Sequence, residues 1–400
     1  MDGRFKFVAF GARKGGSTDR FKCAFMEHGP ERLPAIDASA LRMSVMQVKK
    51  FSPDALSVME FKSQRDVDVT TKIYAKWPLL GDELKDAWTA VIQRELNMTE
   101  DRGLFKPAPT DCPLYEGKMV WLLDSHFESP RYWLDRNEVR EARGEDAWEG
   151  DNFRVAFRDV GASTNERTLI ASVAPPSWTG HSLSTVIPKR DGEDSNGPNE
   201  VEGTWLAALL ASFCADYVIR QKVTNHMSHF YMQTIPVPRM SEGAIRESFG
   251  GLVARAARLL CDHRDFKALW EKAYSIDWQS PTFWYPSSAP IDTYGPAHEQ
   301  EIRRRLRDEA QRLTPEWEPH CGVHDRTADR RDTGDRAQLR AEVDAYVAHL
   351  YGLSRDDFAY ILDTFPVLKK KEEKAFGEFM SKRKCLEEYD RLAVVLGKQR

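Results

Sequence analysis

Residues 153–174 read FRVAFRDVGASTNERTLIASVA, and this stretch decides the fold class. Strand side chains alternate between faces, so Phe153, Val155 and Phe157 fall on one side and Arg154 and Arg158 on the other. GASTNE is turn chemistry, and RTLIASVA then brings Leu169, Ala171 and Val173 back into step. The spacing predicts a β-hairpin whose polar face carries arginines.

Downstream, residues 188–203 (PKRDGEDSNGPNEVEG) hold one apolar residue besides the prolines and read as an exposed loop or disordered insertion. Leu206, Leu209, Leu210, Phe213 and Tyr217 then recur at the i, i+3, i+4 spacing of a buried helix face, with Arg220 and Lys222 where a helix C-terminus favours cations. Pro236 and Pro238 in TIPVPR predict an extended exit. The final third is helical: Leu339, Val343, Val347 and Leu350 form an apolar stripe closed by Gly352. Ser354 with Asp357 makes a capping box ahead of Phe358, Ile361, Leu362 and Phe365, stopped by Pro366, and a last helix carries Phe376, Phe379, Leu386 and Tyr389. The polar segment near 319–336 reads as a mobile linker.

Upstream, 64–76 (QRDVDVTTKIYAK) places Val67, Ile73 and Tyr74 at helical spacings, and Pro78 ends the pattern. At the start, RFKFVAF, the turn GARKGGSTD and RFKCAFMEH predict an opening hairpin.

The 400 residues contain 41% hydrophobic side chains, enough for sizeable cores, which excludes disorder of the whole chain. With 58 Lys+Arg against 62 Asp+Glu the formal charge is -4, so a coat held on nucleic acid by bulk charge is excluded and DNA contact requires a local basic face. No run approaches the roughly 18 apolar residues of a membrane helix, and the N-terminus lacks an apolar stretch followed by a cleavage site. Six cysteines, at 23, 112, 214, 261, 321 and 385, are too sparse for a disulfide framework, so a cytoplasmic location is expected.

Chemical motifs are scarce. Asp54, Glu60 and Lys62 spell PD followed by ExK, a metal-nuclease set, but the five-residue gap is shorter than convergence across adjacent strands usually needs. His320, Cys321 and His324, like His226 and His229, lack the second pair of ligands that a structural zinc requires, so no metal site is expected. No GxSxG, GxxxxGK[ST] or GxGxxG occurs.

Seven stretches carry a resemblance: RFKFVAFGARKGGSTDRFKCAFM (4–26), FSPDALSVMEFKSQRDVDVTTKIYAKWPLL (51–80), PLYEGKMVWLLDSHF (113–127), FRVAFRDVGASTNERTLIASVAPP (153–176), LLASFCADYVIRQKV (209–223), FYMQTIPVPR (230–239) and YGLSRDDFAYILDTFPVLKKKEEKAFGEF (351–379). In this order they resemble the C-terminal half of large adenine-N6 DNA methyltransferases of fused type IIG restriction-modification and phage-defence systems. LLASF followed by IPVPR also resembles type I specificity subunits. In that family the N-terminal half binds S-adenosylmethionine and holds the flipped adenine on an Asn-Pro-Pro-aromatic motif, while this half recognises the target sequence. No Asn-Pro-Pro-Tyr/Phe occurs here, so the resemblance implies a chain that begins just after the catalytic motifs and holds no cofactor. S-adenosylmethionine is then expected in a separate catalytic domain or subunit, with double-stranded DNA and that subunit as partners.

The expected architecture is α+β: residues 1–35 as a hairpin ending a methyltransferase domain, 36–110 as a helical connector, 111–240 as a mixed α/β target-recognition domain, and 241–400 as a helical domain. Arg154, Arg158, Asn165, Arg167, Arg220, Lys222, Asn225 and His226 are the expected DNA-binding residues, because arginine can bond guanine and asparagine adenine bidentately. Between Asp151 and Arg239 five of nine acids lie in 191–202, leaving the rest net basic against eight Lys+Arg. The alternatives are a helical assembly subunit of a defence complex that reads no sequence and a metal-dependent nuclease. An extruded target base would go to the missing domain while this module grips the duplex.

Overall fold

A computed structural model describes residues 8–27, 29–84, 87–189, 199–223, 226–279 and 334–395. It is α+β, with thirteen α-helices and three antiparallel sheets among those residues. Contacts divide the chain into residues 1–68 and 69–400.

The first unit holds β1 (Arg20–Cys23), α1 (Ile36–Ser39), β2 (Leu41–Ser44), α2 (Val45–Phe51) and the start of α3 (Gln64–Lys76). Here the opening hairpin is corrected. β1 pairs with β2, Phe21 opposite Met43 and Cys23 opposite Leu41, and residues 8–10 are not strand, while 4–7 lie outside the described residues. Leu41 and Met43 are buried on one face of β2, a better template than the exposed Val8 and Phe10. Ser44 opens α2 with a reciprocal capping box to Gln47. The helix expected at 64–76 is α3, with Val67, Ile73 and Tyr74 buried.

The second unit is built on the sheet β3–β8–β6–β7, with β3 at Thr89–Gln93, β6 at Arg154–Arg158, β7 at Ala171–Ala174 and β8 at Leu183–Lys189. The segment read as a helical connector therefore contributes an edge strand. β6 and β7 form the expected hairpin, Val155 opposite Val173. A two-stranded ribbon, β4 (Cys112–Pro113) with β5 (Trp133–Leu134), lies ahead of α4 (Arg136–Arg143), and Leu96, Leu114, Leu134, Val139 and Trp178 make a core there.

α5 (Glu200–Leu210) packs across β6 and β7. Residues 188–203 are thus only partly as expected: Pro188 and Lys189 belong to β8 and Glu200–Gly203 to α5, where Val201 and Glu202 are buried, and 190–198 lie outside the described residues. The single helix expected over 206–217 is two, α5 and α6 (Phe213–Arg220), because the Ser212 hydroxyl donates to Leu209 O and accepts the Ala215 amide as an N-cap. α7 (His229–Gln233) leads into 235–238, which runs extended beside 78–81, Leu80 N donating to Ile235 O and Val237 N to Pro78 O.

The helical part comprises α8 (Glu242–Leu260), α9 (Lys267–Ala273), α10 (Gly334–Leu350), α11 (Arg355–Asp363), α12 (Pro366–Phe376) and α13 (Met380–Val395). α10 packs against α8 and α13, and the buried Arg255 of α8 pairs with Glu342 of α10. Gly352, at φ 70°, follows α10, and Ser354 with Asp357 caps α11 as expected. Pro366 does more than stop α11. It opens α12 at the first position, where its missing N–H costs nothing. The last helix is likewise split, Gly377 at φ 78° separating α12 from α13. The linker read near 319–336 lies outside the described residues up to 333, and its end, Arg336, is buried within α10 against Asp262.

Candidate nucleic-acid interface

The arginines read as a polar strand face do not form one. β6 is buried on both sides, and Arg154 is 0% exposed. Its guanidinium meets Glu95 as a fork, Nε to Oε1 at 2.8 Å and Nη2 to Oε2 at 2.9 Å, and also donates to the carbonyls of Asn152 and Ser177. A buried guanidinium is tolerated when paired and hydrogen-bonded. Arg154 is accordingly withdrawn from the DNA-binding set.

Arg167 is corrected in the same way. It is buried, with Nε donating to Asp216 Oδ2 at 2.6 Å and Nη2 to Ala211 O at 2.8 Å, and it stacks on the Phe213 ring. Asp216 also accepts the amides of Thr168 and Leu169 and the Nε of Arg220. Arg220 in turn donates Nη2 to the carbonyls of Asn165 and Glu166, at 2.5 and 2.9 Å, and lies over the Phe365 ring. Burial pulls its guanidinium below the usual range. Arg158 is half-buried, donating to Val120 O at 2.8 Å over the Trp121 ring.

Lys222 is half-buried beside Tyr74 and donates to the Thr234 hydroxyl. Burial pushes its ammonium down to about 7 from 10.5. Between those values the unfolded chain keeps the proton and the folded chain sheds it, so stability rises with pH across that window. Chemical denaturation should show about 2–3 kcal/mol gained through this group from pH 6 to pH 9. Lys222→Met should lack that gain, and equal pH slopes for the two proteins would refute the assignment.

Two residues of the expected set are exposed. Asn165 sits on the turn after β6, between Ser163, Thr164 and Glu166, and His226 lies on the facing segment, where it forms an antiparallel bridge with Val160. Asn225 lies outside the described residues. Beneath the turn the Asp216 cluster holds its backbone from below, and Thr168 Oγ1 donates to Ala162 O. Gly161 is required here: a Cβ would strike the Thr168 carbonyl oxygen.

The structure also brings Lys371 of α12 to this turn. Lys371 Nζ lies 2.5 Å from Glu166 Oε2, Lys370 is exposed, and Lys369 makes only a loose pair with Glu373 at 3.9 Å. A lysine cluster after a proline carries no sign in sequence of which loop it will face. Beside the Val160–His226 bridge, Arg94 pairs with Asp159 at 2.7 Å, and Ser184 donates to Asp159 and contacts His229. Asp159 reaches the serine, not the histidine, so this is no hydrolytic relay.

The nuclease-like set lies on no pair of strands: residues 53–63 form no strand, and Asp54 and Lys62 are exposed. His226 and His229 form no metal-capable group among the described residues, and His320, Cys321 and His324 lie outside them. No helix among the described residues is long and apolar enough to cross a membrane. No family model matches the chain, and no curated protein matches it.

Proposed function

We propose that this chain is the DNA sequence recognition module of an adenine-N6 DNA methyltransferase or restriction-modification enzyme, with methyl transfer and S-adenosylmethionine binding supplied by a separate domain or subunit. The observation that carries the reading is the turn 160–168. It displays Asn165 toward solvent on a backbone pinned from beneath by Arg167, Arg220 and Asp216, with His226 and Lys371 of α12 beside it. A rigid loop can place a side chain within the tolerance that reading a base edge demands. The exposed lysines offer sequence-independent phosphate contacts.

Six of the seven stretches that carry the resemblance, that of 51–80 through residues 69–80, are tied together in the second unit, 113–127 through Arg158 donating to Val120 O. Tyr74 donates to Thr234 O, Leu79 bridges Pro236, Arg167 pairs with Asp216, Arg220 covers Phe365, and Tyr351 donates to Pro236 O. That is the behaviour of segments from one folded module.

The test is a competition assay of wild type, Asn165→Ala, His226→Ala and a triple Lys369/Lys370/Lys371→Gln variant with the catalytic partner present, against target and scrambled duplexes at fixed salt. Asn165→Ala should lose about 1–3 kcal/mol for the target and little for scrambled DNA. The lysine variant should weaken both alike and flatten the salt dependence. A wild-type chain with no duplex preference would remove the reading in favour of an assembly subunit.

A further inference from the structure

We infer that His126, His263 and Asp265 form a binding site for a divalent transition-metal ion of the zinc class, independent of the DNA reading. The three side chains come from two segments. His126 follows the turn Trp121–Asp124, and its amide donates to Asp124 Oδ1 at 2.9 Å, which fixes the loop. His263 and Asp265 lie in the short connection between α8 and α9, with Phe266 buried behind them.

Their donor atoms converge. Asp265 Oδ2 stands 3.1 Å from His126 Nε2 and 3.2 Å from His263 Nδ1, and all three donor atoms lie within 4.8 Å of one another. Two donors at roughly 2.0–2.2 Å from a tetrahedral zinc are about 3.3 Å apart, so two of the three ligand edges already have near-coordinating lengths. His263 Nδ1 also accepts the Asp265 amide at 3.3 Å. Metal ligation at Nδ1 would take over the lone pair that this amide now holds.

The donor set selects the metal. Two imidazoles and one carboxylate suit zinc and its neighbours in the first transition row, whereas magnesium and calcium favour oxygen alone. The imidazoles are stacked, with centroids 4.0 Å apart and planes 27° from parallel, so binding requires one ring to turn out of the stack. His263 has the freedom to make it, being 40% exposed, and Asp265 is 45% exposed. Their exposure gives an ion its entry path and leaves a fourth position facing solvent, the arrangement of a site with an exchangeable ligand. His126 is the anchored member: its ring packs edge-on to Tyr115 and Phe266.

The experiment strips the full chain of metal by dialysis against a chelator and titrates Zn²⁺ in competition with a chromophoric chelator, with Co²⁺ absorption as a second readout of coordination. Wild type should take up one equivalent, and Asp265→Asn and His263→Gln, both at partly exposed positions, should each weaken binding at least tenfold while melting like wild type. A triple His320/Cys321/His324→Ala variant should keep the equivalent. No stoichiometric uptake by wild type, unchanged affinity in both ligand variants, or loss that follows the triple variant would each overturn the assignment, the first leaving a shared proton as the occupant.

Discussion

Asp216→Ala is expected to cost the fold about 3–5 kcal/mol, the price of leaving buried charge unpaired. The Asp216 carboxylate is fully buried and accepts from Arg167, Arg220 and the amides of Thr168 and Leu169. Its removal strands two guanidinium groups against the Phe213 and Phe365 rings, where solvent cannot compensate. Asp216→Asn keeps the volume and one acceptor oxygen, and should lose less. Urea denaturation gives the magnitude, and hydrogen exchange at Thr168 and Leu169 gives the location, since those amides lose their acceptor. A cost under about 1 kcal/mol would mean that Arg167 and Arg220 find other partners, and the account of a pinned turn would fail. If the turn does read bases, target preference should fall along with exchange protection, because Asn165 would then hang on a loosened loop.

The second large effect separates scaffold from contact. Arg154→Met should destabilise by a similar amount, about 3–5 kcal/mol, because Glu95 is left as a lone buried carboxylate. Glu95 cannot simply be made apolar in the compensating partner, since its Oε2 also accepts the Thr179 amide at 2.7 Å. Glu95→Gln retains that acceptor, so the Arg154→Met/Glu95→Gln double variant should recover most of the loss, to within about 1–2 kcal/mol of wild type. If the chain reads DNA as proposed, the refolded double variant should also bind duplex like wild type, because Arg154 has no path to solvent. Additive single effects would refute the pair as the stabilising unit. Weakened DNA binding by the stable double variant would restore Arg154 to the interface.

Local chemistry made much of this fold legible. Alternation in 153–174 placed the β6–β7 hairpin, helical spacing with Pro78 bounded α3, and Ser354, Asp357 and Gly352 marked helix ends through groups that bond within a few residues of themselves. Such signals survive without the rest of the molecule, because each involves neighbours in the chain. The same reasoning misjudged β1, whose partner begins eighteen positions after Cys23, on the other side of β1 in sequence from the segment that looked complementary, and merged α5 with α6 because burial on every side of α5 hides a break that one serine cap makes.

The candidate sites depended on distance in sequence. Whether an arginine on a strand faces water is decided by whether a carboxylate arrives to pair with it, and those of Arg154 and Arg167 come from 59 and 49 positions away. Asn165 and His226 are exposed, with no carboxylate among the described residues paired to either, while Lys371 gained a place beside their turn from 205 positions downstream. His126 and Asp265 are 139 residues apart, and nothing in either local sequence marks them as a pair. Periodicity and capping thus determined where elements start and stop. Only tertiary packing decided which charges are spent in the interior and which remain to meet a ligand, because ion pairing and metal ligation act across space while sequence patterns record only near neighbours.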